Sequence, residues 1–113
     1  MQIRELNLKE LNIVYKVASQ LHTNISYKEF EDLIYDMRYM EYKMLGVLDG
    51  EELLAFAGVA IQTTLKDKRH LMVFDFVVDK DSNQEKYSEI LRNFIDDFAR
   101  FGMCSSVIYK EYL

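Results

Sequence analysis

Apolar and polar positions alternate over Met1 to Leu6, with Met1, Ile3 and Glu5 on one side, as in a short half-buried strand. A helical period follows. Asn7 and Glu10 form a capping box, in which the Asn7 side chain accepts a downstream amide while Glu10 reaches back, and Leu11, Val14, Tyr15, Ala18 and Leu21 continue at helical spacing. His22, Thr23 and Asn24 break that period. Ser26 and Glu29 make a second capping box ahead of Phe30, Leu33, Ile34 and Met37, which predicts a second helix. Its end merges into Arg38 to Tyr42, where aromatic residues and methionine alternate with charge and the pattern sets no boundary.

From Lys43 the period is that of strands. Lys43 to Leu48 and Glu52 to Leu65 read as a hairpin around Asp49-Gly50, a pair that supplies positive φ values. A charged tip, Lys66 to Arg69, leads into a second hairpin whose returning strand, His70 to Asp79, is dense in β-branched and aromatic residues and carries one internal acid, Asp75. That strand is expected to be central. Asp81, Ser82 and Asn83 form a turn, after which Tyr87, Ile90, Leu91, Phe94, Phe98 and Phe101 recur at helical spacing up to Gly102. The Phe94, Phe98 and Phe101 stripe is expected in the core. Ser105 to Tyr109 is a last strand. The order predicts an α+β domain, β-α-α-β-β-β-α-β, with a mixed, mostly antiparallel sheet and helices on both faces. A crossover helix between the last two strands makes them parallel neighbours.

Composition narrows the partners. The 113 residues hold 14 Lys+Arg against 19 Asp+Glu, a net charge of −5 with no basic block, which argues against nucleic acid and anionic membranes. The acidity leans toward a cationic partner such as a polyamine, an aminoglycoside or a lysine. One cysteine, Cys104, makes no internal disulfide and fits a reducing compartment, and no apolar stretch approaches the roughly 18 residues of a membrane span. The expected location is the cytoplasm. Two histidines 48 residues apart and one cysteine offer no metal-ligand spacing, so no metal is expected.

The whole chain, and Val73 to Leu91 most closely, resembles the GNAT-type N-acetyltransferases. The resemblance implies a single GNAT-like domain over 1–113 that uses acetyl-CoA as co-substrate to acetylate a primary amine on a small molecule or peptide. In that family an acid on the fourth strand precedes an apolar run and an Asp; here these are Asp75, Phe76, Val77, Val78 and Asp79. Asp75 is then the general base, and the main chain of Phe76, Val77 and Val78 pairs with the pantetheine arm. The family's Arg/Gln-x-x-Gly-x-Gly/Ala pyrophosphate loop is altered. Asn83 stands at the Arg/Gln position, Lys86 at the first Gly and Ser88 at the second, so Asn83, Gln84, Lys86, Tyr87 and Ser88 are the candidate pyrophosphate contacts. Glycines let backbone amides approach phosphate closely, and losing two charge-assisted bonds weakens binding by about two to four orders of magnitude. Lys86 can return part of that as a flexible cation, while Glu85 opposes it. Weak coenzyme binding is the expectation.

The family also continues beyond its fifth strand with a helix and two strands, which often supply a tyrosine that protonates the departing thiolate. The chain given stops at Leu113, which reads as a truncated domain or one completed by a second copy. Tyr109 and Tyr112 are the phenols nearest that role. His22 lies where the family's acceptor enters, although a loop histidine is more often simply solvated; His70, at a strand start, invites the same comparison. Cys104 has no basic neighbour to activate it. The alternative to an enzyme is a degenerate GNAT-like domain without catalysis that serves in protein association, as a homodimer covering the open sheet edge. An unrelated α+β domain is excluded only by a parallel, adjacent final pair of strands.

Overall fold

The computed structural model describes residues 1–110 of the chain; Tyr112 lies outside them. Five strands form one sheet in the order β1-β2-β3-β4-β5. They are β1 (Gln2–Leu6), β2 (Lys43–Asp49), β3 (Glu52–Thr64), β4 (Lys68–Val78) and β5 (Ser106–Tyr109), and the helices are α1 (Leu11–Ala18), α2 (Tyr27–Asp36) and α3 (Gln84–Phe101). Single 3-10 turns, Leu8–Glu10 and Met37–Met40, precede α1 and follow α2. The first three strand pairings are antiparallel and β4 pairs with β5 in parallel, from His70↔Ser106 to Val73↔Tyr109. The last two strands are thus parallel and adjacent, as the resemblance requires. β3 occupies the middle of the sheet, so β4 is internal but not central, a correction to the sequence reading.

The two faces carry separate cores. On one face α1 and α2 place Leu11, Val14, Val17, Phe30 and Ile34 over Leu48, Leu53 and Phe56 of the sheet. On the other, Leu91, Ile95 and Ala99 of α3 cover Leu45, Val47, Val59, Leu71 and Val73. Each fully buried aliphatic side chain contributes about 1.5–3 kcal/mol from leaving water. Burial on both faces explains why β2 and β3 read as near-continuous apolar runs.

Four local expectations shift. In β1 the buried residue is Leu6, while Met1 and Ile3 are exposed; Ile3 pairs with Val47 at the sheet edge, beyond the part that α3 covers. Along α3 the buried line is Leu91, Ile95 and Ala99, with Phe94 and Phe98 flanking it, and Phe101 is 89% exposed. The apolar stripe is wider than the face the sheet covers, and its last phenylalanine lies on the exposed side of the helix. The first hairpin turns at Gly50-Glu51, because Asp49 pairs with Glu52; only Gly50 has positive φ (62°), the pattern of a type II′ turn. The second turn is Leu65 to Asp67, with Thr64 paired to Lys68, and Lys68 takes the left-handed conformation at φ 57°.

Candidate functional site

A register break in the β3–β4 ladder builds the site. Gly58 pairs with Asp75 but Val59 with Val73, so Phe74 is the extra residue of a β-bulge. Strict alternation sends Asp75 to the face opposite Phe74. The bulge instead puts both on the α1/α2 side, where they line one cleft, while Phe76 and Val78 return to the α3 side. Asp75 therefore faces neither bulk solvent nor a sealed core: its side chain is 16% exposed at the wall of that cleft.

Among the described residues, two side chains hold its carboxylate. The Tyr42 hydroxyl donates to Asp75 Oδ2 at 2.5 Å, and His22 Nε2 meets Oδ1 at 2.7 Å. A carboxylate oxygen only accepts, so this contact assigns the ring proton to Nε2 of His22. Tyr42 reaches Asp75 across β3 through the space above Gly58. A Cβ there would lie 1.6 Å from the Tyr42 hydroxyl oxygen and 2.7 Å from Asp75 Oδ2, so this close approach requires glycine. Tyr42 lies just before β2 and directly after Glu41, whose left-handed conformation (φ 59°) reverses the chain out of the 3-10 turn.

The connector carrying His22 is fixed at both ends. The His22 and Leu21 amides donate to Ala18 O at the end of α1, and the Tyr15 hydroxyl donates to Ile25 O at 2.6 Å. Gln20 bridges to the end of β4, its Nε2 donating to Asp79 Oδ1 at 2.7 Å and its Oε1 accepting the Lys80 amide at 2.8 Å. Asp79, 8% exposed, thus locks the connector against β4, a structural role.

The cleft has a volume of about 640 Å³ and runs between the connector, α2 and the sheet to Lys110. At that end β4 and β5 part. Their pairing stops at Val73↔Tyr109 with one further bond from the Lys110 amide to Val73 O, whereas β4 continues through Val78. Among the described residues no strand lies beside Phe74 to Val78 on that edge. The main chain of Phe76, Val77 and Val78 borders this fork.

The remaining candidates are spread wider. Tyr109 lies on the α3 face, its ring 5.9 Å from that of Phe76, with the Arg92 guanidinium 4.7 Å from the Phe76 centroid and 5.0 Å from that of Tyr109. Burial raises the Tyr109 phenol above its ordinary value, against the lowering effect of the Arg92 charge. Asn83 is the N-cap of α3, its Oδ1 accepting the Lys86 amide at 3.0 Å, and Gln84 Nε2 donates to Asp79 O at 2.7 Å. Lys86 Nζ sits 5.2 Å from the Tyr87 ring centroid, and Ser88 is half-buried on the same turn. His70, 1% exposed, donates from Nδ1 to Lys68 O at 2.9 Å and belongs to the core. Cys104 is half-buried beside Gly102. Among the described residues no group of three or more His, Cys, Asp or Glu is arranged to hold a metal, and no helix is long and apolar enough to cross a membrane.

The sequence reading missed Tyr42 and Gly58. Gly58 had a usable signal, because an isolated glycine inside a long apolar strand marks a bulge or a close approach.

No protein-family model and no curated protein matches the sequence. Solved structures do match its fold. A GNAT family acetyltransferase from Staphylococcus aureus superposes with a TM-score of 0.85 at 13% identity, over 99% of this chain and 87% of its own. Ribosomal-protein-alanine N-acetyltransferase from Brucella melitensis gives 0.80 at 16% identity, over 96% of this chain and 78% of its own. Glucosamine-6-phosphate N-acetyltransferase from Arabidopsis thaliana gives 0.76 at 17%, over 99% and 82%. With the bulged β4, the β4–β5 fork and helices on both faces, the chain has the GNAT-type fold.

Proposed function

We propose that this chain transfers an acetyl group from acetyl-CoA to a primary amine. The observation that carries the reading is the fork between β4 and β5 opening beside a cleft that contains Asp75 and His22. An extended amide-bearing arm can pair with the bare edge of Phe76 to Val78 as an added strand, which directs its thioester toward Val73 and the cleft. The amine nitrogen attacks the thioester carbonyl carbon, the C–S bond breaks, and an amide and a free thiol result. The proton lost by the amine passes to the Asp75–His22 pair, whose hydrogen bond orients the ring. Tyr109 approaches the fork from the opposite face, and its raised pKa keeps the phenol protonated at neutral pH, able to donate toward the departing sulfur. The thioester is already activated, so positioning and proton removal supply most of the rate.

A second reading rests on α3. Asn83 already occupies the Lys86 amide, and the turn carries Lys86 where the family's loop has glycine, as in a helix start that needs no phosphate. In that reading the domain binds coenzyme weakly or not at all and serves in association, as a homodimer for example. Calorimetric titration with acetyl-CoA, with oligomeric state measured on the same sample, separates the two. Micromolar binding by a monomer supports the transferase; no binding at millimolar ligand together with a dimer supports association.

A further inference from the structure

We propose that the acceptor is a small monoamine whose ammonium group is carried on an aromatic or branched apolar body, and that polyamines and aminoglycosides are poor substrates. The proposal rests on the transferase reading and names the substrate class of the same cleft.

The walls decide it. Away from Asp75 the cleft is lined by Phe30, Leu33, Ile34, Phe56 and Phe74, together with Met37 at the end of α2. Among the described residues, four groups there carry or can carry charge: Asp75, Glu29, His22 and Lys110. Asp75 stands where β4 meets the fork, so it attracts a cation to the reacting end, while Glu29 lies on the first turn of α2. Lys110 is a cation at the same fork. A polycation entering this cleft can set one further ammonium group beside Glu29, but leaves the rest against Phe30, Phe56 and Phe74 or brings them toward Lys110. Both arrangements are unfavourable. An amine with one charge and an apolar body matches Asp75 at one end and the walls of Phe30, Leu33, Ile34, Phe56 and Phe74. The volume of about 640 Å³ lies within the range of small-molecule sites and exceeds what an arylalkylamine fills. The net charge of −5, which by itself favours polycations, is spread over the whole surface and does not describe this cleft.

The test is calorimetric binding of phenethylamine and of spermidine to the intact chain at neutral pH and moderate salt, with and without acetyl-CoA. Phenethylamine is expected to bind at least about tenfold more tightly than spermidine. Leu33, 44% exposed, can be changed without opening the core, and Leu33→Gln is expected to weaken phenethylamine by about fivefold or more while leaving spermidine unaffected. Equal or tighter binding of spermidine, no binding of phenethylamine, or indifference of phenethylamine to Leu33→Gln overturns the proposal. Failure of the transferase reading has a separate signature: phenethylamine binds with the stated preference, but no coenzyme A thiol is released from acetyl-CoA in its presence.

Discussion

At the scale of single residues, the site depends on one glycine as much as on its acid. Gly58 provides the space through which Tyr42 reaches Asp75. Gly58→Ala is expected to displace the Tyr42 ring and lower stability by about 1–3 kcal/mol, the range for overpacking, as read from the denaturant midpoint. The same variant loosens the Asp75 carboxylate, so acetyl transfer falls further than stability alone explains. An unchanged midpoint contradicts the account of Gly58. Asp75 and His22 were both legible in the sequence, the first as an acid in an apolar strand and the second as a histidine in a helix break. Their meeting was not, because it depends on the extra residue Phe74, and the isolated Gly58 marks a bulge or a close approach without saying which residue of the facing strand is doubled. Tyr42 was hidden for a different reason: it lies in a stretch without a clear period, and its direction is set by the left-handed Glu41.

At the scale of elements, two caps carry testable consequences. Asn83→Ala removes the α3 N-cap and is expected to cost about 1 kcal/mol, measured by thermal or denaturant unfolding. Lys86→Ala leaves the helix intact and, on the proposed transferase reading, is expected to weaken acetyl-CoA binding severalfold in a titration, since Lys86 is a flexible cation on the first turn of α3. No change in affinity excludes a phosphate role for Lys86. At the other end of the chain, Glu10 joins the capping box and accepts two bonds from Arg4, at 3.0 and 2.7 Å. The Arg4 bond is the main reason its carboxyl lies below the ordinary glutamate range. A pKa depressed on folding stabilises above the unfolded value and loses that stabilisation as pH falls through the folded value. Glu10→Gln is therefore expected to lower the unfolding midpoint at pH 7, with the gap closing in acid below the usual glutamate range. A gap that persists at low pH assigns the effect to the cap geometry instead. The Asn7–Glu10 capping box, the Ser26 cap and the long helix were readable because caps and periodicity are local, whereas Glu29 does not reach back to close the second box; the misassigned Phe101 depended on which side of the helix the sheet covers, which is not local.

At the scale of the whole molecule, strand order and the parallel β4–β5 pair followed from the order of elements, since a crossover helix leaves few arrangements. The fork was implied only by the family resemblance and not by the order of elements: β5 has four residues and β4 has eleven, and where their pairing stops is a property of the assembled sheet. It is the feature that turns a common α+β layout into a candidate acyl-transfer site, with Asp75 and His22 on one face and Tyr109 on the other. The most direct test follows coenzyme A thiol release from acetyl-CoA with phenethylamine as acceptor, comparing the wild-type chain with Asp75→Asn across pH. The account predicts amine-dependent thiol release that Asp75→Asn lowers by about 10²-fold or more, the scale of a lost general base, with coenzyme binding retained. Transfer that is unaffected by Asp75→Asn contradicts the assigned base.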